Sequence, residues 1–331
     1  MKKKAAAALV LLAAAMWGFY LLGGMAGERF SQAGFPSAGA VQADSPETPL
    51  SDLEWDAMVS ALSKASIAYP GRVGVYLKDL RTGRTWAYQP DCLFPAASLI
   101  KVPIMAAVFD KIARGELSLE TRIRLTGKDR RGGSGSLKWA REGTSLSVME
   151  LLYKMITESD NTAAQMIIDH AGYSYLEHAF RKIGLVYTNI APEGMSLTSG
   201  RVARENYTTP REMALLVDRI YAGAMINRES SQLMLDLMKH NKGRTRLRKG
   251  LPMGWEIGHK TGLLRRSCHD VGVVFSPRGD YIIAVLTGEV PSYSSAKRFI
   301  AGMAKLTYGY YNVDVSYASA GRSRSYGYSG S

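Results

Sequence analysis

An α+β fold follows from the order of periodicities along this chain. A strand-like hairpin at 72–88 comes first. From Leu99 to about His240, apolar residues recur every three to four positions, interrupted by polar or glycine-rich breaks. Beyond Gly250 the period shortens to two, and a last helical stretch closes the pattern. The simplest assembly joins both ends into one antiparallel sheet of five strands, with helices packed on it and an inserted all-helical part. At 331 residues, 46% hydrophobic, the chain can bury a sizeable core.

The elements follow in order. Lys2, Lys3 and Lys4 precede an uncharged run from Ala5 to Gly27 that includes Leu9, Leu11, Trp17, Phe19 and Leu22. Basic residues ahead of an apolar run mark an export signal. The run reaches the length that spans a bilayer, and A-x-A sites at Ala38–Ala40 and Val41–Ala43 lie far beyond it. An uncleaved anchor over 1–27 is expected, with a cleaved signal as the alternative; either places the body outside the cytoplasm, in the cell envelope. Residues 28–50 are rich in Ser, Gly, Ala and Pro and read as a tether.

The folded part is expected over 51–311. Ser51 and Glu54 have capping-box spacing, and Leu53, Met58, Val59, Leu62 and Ile67 form a helical stripe. Arg72–Leu77 and Thr85–Tyr88 read as paired strands around Thr82-Gly83. Helical segments are expected at 104–114, 147–158, 162–171, 174–183, 210–222 and 230–239. Trp255–Lys260, Asp270–Phe275 and Tyr281–Leu286 read as strands, with Pro277–Asp280 a turn, and 294–308 as the last helix. This divides the body into an α/β part, 51–97 and 250–311, and a helical part, 98–249. Residues 312–331, poor in large aliphatics, read as a disordered tail, and the basic run Lys242–Lys249 as a solvated loop.

The formal net charge is +13. Such a surface attracts polyanions: acidic wall polymers, anionic lipid or nucleic acid. No nucleic-acid-binding signature is present, so nucleic acid is excluded as a partner. Cys92 and Cys268 lack zinc-ligand spacing; an extracytoplasmic disulfide is permitted, but two separate free thiols are expected. His170, His178, His240, His259 and His269 show no H-x-x-x-H spacing, and no phosphate or dinucleotide fingerprint occurs. Neither metal nor cofactor is expected.

Three short motifs carry the chemistry. Pro95–Lys101 contains S-x-x-K, Ser98 to Lys101, between the first hairpin and a helical run. One helical turn separates the two, which suits a hydroxyl nucleophile beside an amine, with the helix start favouring negative charge. Ser159-Asp160-Asn161 lies between two helical segments. Lys260-Thr261-Gly262 ends the first strand after the helical block. Taken singly, the second is an ordinary helix cap and the third an ordinary strand end. Their ordered combination behind an export signal is specific.

By these motifs the chain resembles the class A β-lactamase-like serine hydrolases, within the wider penicillin-recognising family, from about residue 50 to 310. S-D-N followed by Thr-Ala-Ala leans toward class A. The resemblance implies the β-lactamase/transpeptidase-like fold and a set of roles. Ser98 would be acylated by a β-lactam or a D-alanyl peptide, and Lys101 would take its proton. Ser159 would relay a proton to the leaving nitrogen. Asn161 would bind the substrate amide, Lys260 would add charge near Ser159, and Thr261, followed by Gly262, would meet the substrate carboxylate. Backbone N–H groups of Ser98 and Leu263 would form the oxyanion hole.

The resemblance also implies a loop glutamate in an E-P-x-x-N pattern that activates the deacylating water. Here Asn189–Ser196 reads N-I-A-P-E-G-M-S. Anchoring on Pro192 puts Ala191 at that place; counting back from Thr208-Thr209-Pro210 lands near Gly194. Glu193, between them, is the candidate base, against a solvent-facing loop residue. His269 stands roughly where relatives carry a carboxylate-binding arginine. Arg265 and Arg266 are its candidate substitutes, against solvent-facing side chains, and His269 against a hydrogen-bonded structural residue. The expectation is an exported, monomeric β-lactam hydrolase whose deacylation is slow. The alternatives are a penicillin-binding or D,D-peptidase-like enzyme acting on peptidoglycan, and a non-catalytic wall-binding module.

Overall fold

The computed structural model describes residues 48–198 and 200–312. The expected anchor, most of the tether and nearly all of the tail lie outside the described residues.

Ser51 caps α1 (Asp52–Ile67) through the reciprocal Ser51–Glu54 box. Strands β1 (Arg72–Asp79) and β2 (Thr85–Tyr88) follow, then the short β3 (Phe94–Pro95), a 3-10 turn over Ala97–Ile100, and α2 (Lys101–Ala113). The helical block holds α3 (Val148–Thr157), α4 (Asn161–Ala171), α5 (Tyr173–Lys182), α6 (Pro210–Tyr221), α7 (Arg228–Lys239) and the single turn α8 (Leu247–Gly250). Then come β7 (Ile257–Leu264), β8 (Ser267–Val274), β9 (Tyr281–Gly288) and α9 (Tyr293–Tyr311). Periodicity does not reveal the short ladders inside the block. There β4 (Arg122–Arg124) pairs with β5 (Ser145–Ser147), and β6 (Tyr207–Thr208) pairs with β3.

The main sheet is antiparallel, in the order β2-β1-β9-β8-β7. Alternation sends successive side chains to opposite cores. Val75, Leu77, Ile283 and Val285 pack toward Met58 and Leu62 of α1 and Ile300 and Met303 of α9. Tyr76, Ile282, Ala284 and Leu286 face the helical part, where Met213 and Val217 of α6 lie. The central strand β9 is therefore buried at every position and reads as a continuous apolar run rather than an alternating one.

Helix α2 runs through the middle of the helical part. All ten positions from Lys101 to Asp110 are buried. Buried side chains such as Met105, Val108 and Phe109 each contribute about 1.5–3 kcal/mol. Pro103 is its third residue, within the first turn, whose N–H groups have no intrahelical partner anyway. Cys92 and Cys268 are both free thiols. The basic run 242–249 departs from the solvated-loop reading, because Arg246 and Leu247 are buried. The N–H of Leu247 donates to the Asp270 carboxylate at 3.0 Å, which pulls the segment onto the sheet.

Candidate active site

The S-x-x-K segment is fixed from three sides. The Ala96 N–H donates to the Asn206 carbonyl at 2.6 Å. His269 Nε2 lies 2.8 Å from the Pro95 carbonyl, and the Thr287 N–H reaches His269 Nδ1 at 3.2 Å. An acceptor at Nδ1 leaves the proton on Nε2, so the ring is neutral and donates to Pro95. Burial agrees, pushing the His269 pKa down to about 4. Gly262 provides the third side. A Cβ there would stand 3.3 Å from Ala97 Cβ and 3.2 Å from the His269 ring, tighter than ordinary contact, so glycine lets β7 lie close against the turn.

Within this frame Ala97 takes φ 47, a left-handed conformation that an alanine holds only when its surroundings fix it. Ser98 follows, half-buried, on the wall of a cavity of about 260 Å³. Its Oγ has no hydrogen-bond partner among the described residues. Lys101, on the first turn of α2, is 1% exposed. Its Nζ donates to the Ser159 carbonyl at 2.6 Å, Asn161 Oδ1 at 2.6 Å and Ser159 Oγ at 3.3 Å. Desolvation on a helix buried all round lowers its pKa to about 7, with the Asp160 carboxylate opposing.

Ser159 links α3 to α4 at φ 55, a second strained residue at the same wall. Lys260 Nζ approaches Ser159 Oγ at 2.9 Å, so two buried amines bracket one hydroxyl. Desolvation, then the charges of Lys101 and Arg246, lower the Lys260 pKa well below that of a free lysine. Two cations of this kind do not both keep their protons easily, so a proton can pass through the hydroxyl between them. Asp160 caps α4 by accepting from Ala163 N, and its other oxygen accepts from Leu137 N. Asn161 Nδ2 donates to the Gly132 carbonyl.

Strand β7 forms the opposite wall, and it is a sheet edge. A two-residue turn, Arg265-Arg266, joins it to β8, with Leu264 facing Ser267. In such a hairpin the closing pair exchanges hydrogen bonds and the next pair does not. Leu263, opposite Cys268, therefore points its N–H and C=O off the free edge, as does Thr261 opposite Asp270. Ser98, Thr261 and Leu263 line one cavity.

The remaining sequence candidates lie elsewhere. Glu193 is exposed on a 3-10 turn and makes no hydrogen bond to Ser98, Lys101, Ser159 or Asn161. Its charge acts instead on Tyr173, at the start of α5. Packing directs the loop this way: a Cβ at Gly194 would lie 2.3 Å from the Asn206 side chain, whose Oδ1 accepts from Ala191 N at 2.7 Å. The Arg265 side chain is 6% exposed and faces Glu205 at 3.3 Å, with further bonds to the Ser196 and Gly200 carbonyls. It clamps this loop to the hairpin tip and does not line the cavity. Arg266 donates to the Val290 carbonyl. His269 is the hydrogen-bonded structural residue of its two readings.

Several cavity residues escaped the sequence reading, among them Ser134, Glu158, Asn241 and Arg246. Arg246 is buried at the cavity wall, its Nε 3.1 Å from Cys268 Sγ. Its signal was hidden in a run of exposed basic neighbours. Among the lining side chains the sole carboxylate is Glu158, which is tied to Lys242 and Ser136, each at 2.8 Å. The Lys242 contact holds its pKa below the usual range. Among the described residues, no three His, Cys, Asp or Glu side chains converge to hold a metal ion.

Comparison with known proteins follows the same lines. Residues 57–311 match the model of a family described as the beta-lactamase enzyme family. The chain is 32% identical to a beta-lactamase of Streptomyces albus G, over 70% of this chain and 76% of that protein. A solved ancestral class A beta-lactamase aligns with TM-score 0.69 at 28% identity, over 76% of this chain and 99% of the other. PBP-A, which in a mutant form has been solved as an acyl-enzyme with penicillin G, aligns with TM-score 0.69 at 30% identity, over 80% and 98%.

Proposed function

The chain belongs to the beta-lactamase enzyme family, as a class A β-lactamase-like serine hydrolase acting on β-lactam amide bonds, and from that premise we propose an exported, membrane-tethered enzyme that acylates quickly on Ser98 and deacylates slowly. The observation that carries this reading is the hydroxyl of Ser159 bracketed by Lys101 and Lys260 on the cavity wall that also holds Ser98. Neutral Lys101 takes the Ser98 proton as Oγ attacks the lactam carbonyl. The N–H groups of Ser98 and Leu263 receive the developing oxyanion. Ser159 hands its proton to the departing nitrogen and is resupplied from the flanking lysines. Arg246 and Thr261 receive the substrate carboxylate, and Asn161 its side-chain amide.

Slow deacylation rests on the exposed Glu193 and on the absence of any cavity carboxylate other than the ion-paired Glu158. Export and tethering rest on the three lysines followed by the uncharged run 5–27. The same shortage of a base favours a second reading, a penicillin-binding or D,D-peptidase-like enzyme on peptidoglycan peptides, and the likeness to PBP-A supports it. Intact mass after mixing with penicillin, followed over time, tests both. A persistent adduct lost in Ser98→Ala supports slow release; an adduct that clears within one mixing time refutes it. No adduct at any time refutes the acylation chemistry.

A further inference from the structure

Residues 122–141 concentrate charge in a way the catalytic chemistry does not use. Arg122, Arg124, Lys128, Arg130, Arg131, Lys138 and Arg141 supply seven cations against the single Asp129. Among the described residues none of the seven has a carboxylate partner, although such partners occupy Arg84, Arg114, Arg211 and Lys242 elsewhere. The nearby carboxylates serve the backbone. Asp129 accepts from Thr126 N at 2.7 Å, and Glu142 from Gly127 N at 3.2 Å.

Four of the cations are held by neutral oxygens, which orient them without cancelling their charge. Arg122 donates to Ser145, Arg130 to the Lys138 and Ala140 carbonyls, Arg131 to the Lys128 carbonyl, and Lys138 to the Gly133 carbonyl. Beside them Trp139 is 82% exposed, with the Lys138 ammonium 5.4 Å from its ring centre. The lobe adjoins the catalytic cavity. Ser134 lines it, and Asn161 Nδ2 holds the Gly132 carbonyl.

We infer that this lobe is a docking surface for the anionic glycan polymer of the cell wall, with Trp139 packing on the apolar face of a sugar ring and the cations meeting its acidic groups. The inference rests on the exported location proposed above. A lipid surface fits less well. One exposed tryptophan offers less apolar area than interfacial insertion uses. An extended polymer can lie along the lobe and leave the mouth open, delivering wall-borne substrate to Ser98.

The test is co-sedimentation of the full chain, in detergent, with purified wall sacculi across a salt series, with penicillin acylation measured on the same samples. Arg124, Lys128 and Arg141 are exposed and make no side-chain hydrogen bond, so Arg124→Gln/Lys128→Gln/Arg141→Gln leaves the fold intact, checked by an unchanged melting temperature. Sacculus binding at low salt is expected to fall at least about tenfold in this variant, with a shallower salt dependence. Trp139→Ala is expected to weaken binding at high salt too, because ring packing is not screened. Acylation should stay unchanged in both. Equal sacculus binding by the native chain and the triple variant overturns the inference and leaves the acylation reading standing. Anionic-lipid bicelles or duplex DNA binding more tightly than sacculi through the same three side chains overturn it as well. Loss of acylation in the native chain would strike the functional proposal instead.

Discussion

The most direct test of the mechanism is the pH dependence of acylation. Lys101 sits on a helix buried all round, and its pKa falls from 10.5 to about 7. That displacement corresponds to about 5 kcal/mol of preference for the neutral amine over what water would give. Only the neutral amine can accept the Ser98 proton. With the pKa near 7, about half of the molecules are competent at neutral pH, and the fraction falls tenfold for each pH unit below. The expected acylation rate at pH 5 is therefore about one hundredth of its plateau. An ordinary lysine would put that limb above pH 10.

Stopped-flow acylation by a chromogenic cephalosporin, as kcat/KM against pH, reads this limb. Lys260 shares Ser159 with Lys101, so the apparent midpoint belongs to the pair. Asp160→Asn separates the contributions. Its carboxylate raises the Lys101 pKa, so its removal should move the acid limb to lower pH. A rate independent of pH between 5 and 8 would refute Lys101 as the base, as would an unmoved limb in folded Asp160→Asn. The same shift has a stability consequence. Between about pH 7 and 10.5 the unfolded chain holds a proton that the folded Lys101 has lost, so this group's contribution to stability rises with pH there.

Further outcomes follow from the same geometry. Arg246→Gln should lower kcat/KM for carboxylate-bearing lactams by about 10–100-fold, the worth of a charge-assisted hydrogen bond, and a larger loss for carboxylate-free analogues would contradict it. Glu193→Gln should change deacylation, read as the half-life of the Ser98 adduct, by less than about twofold, because the carboxylate faces away; a hundredfold slowing would reinstate it as the base. His269→Ala leaves the Pro95 carbonyl and the Thr287 N–H unpaired, and should cost about 2–4 kcal/mol in urea unfolding. In the native chain the His269 pKa is lowered, so its contribution is complete above pH 6.5 and is lost, by about 3 kcal/mol, as pH falls toward 4; the variant should lack that slope.

The elements that sequence periodicity placed well are those whose local pattern and tertiary role agree. Ser51 and Glu54 cap α1 as spaced, and Thr85–Tyr88 is a strand with the expected bounds. All three motifs meet at one cavity, since short motifs carry their geometry with them. What stayed illegible depends on distant partners. Arg246 is buried where its Nε meets Cys268 and the neighbouring Leu247 N–H meets Asp270, both on a strand over twenty residues away. The hairpin tip bears two arginines at φ 48 and 58, where glycine or asparagine is the usual signal, so the turn gave no sign of itself. Arg265 could then be read as a substrate ligand rather than a clamp. The loop around Glu193 takes its path from Gly194 against Asn206, a contact that no spacing rule encodes.

That division separates the two half-reactions physically. Ser98, Lys101, Ser159 and Lys260 sit on elements that the packed cores and the sheet over-determine, which is why Ala97 and Ser159 can be held at positive φ. The segment between Asn189 and Asn206 is where the resemblance places the carboxylate that would complete hydrolysis, and Glu193 there is exposed. Among the described residues its ends are tied down, Asn189 to Glu205 and Tyr207 and Asn206 to Ala191 and Ala96, while the stretch between them is held to the hairpin tip by the Arg265 clamp on Ser196, Gly200 and Glu205. Changes confined to it can therefore alter release of the acyl group while leaving its formation untouched. Arg265→Ala makes the separation measurable. It removes the clamp from outside the cavity, so the acylation rate should hold while the adduct half-life shifts in either direction. A parallel loss of acylation would mean that the loop and the nucleophile form one rigid unit after all.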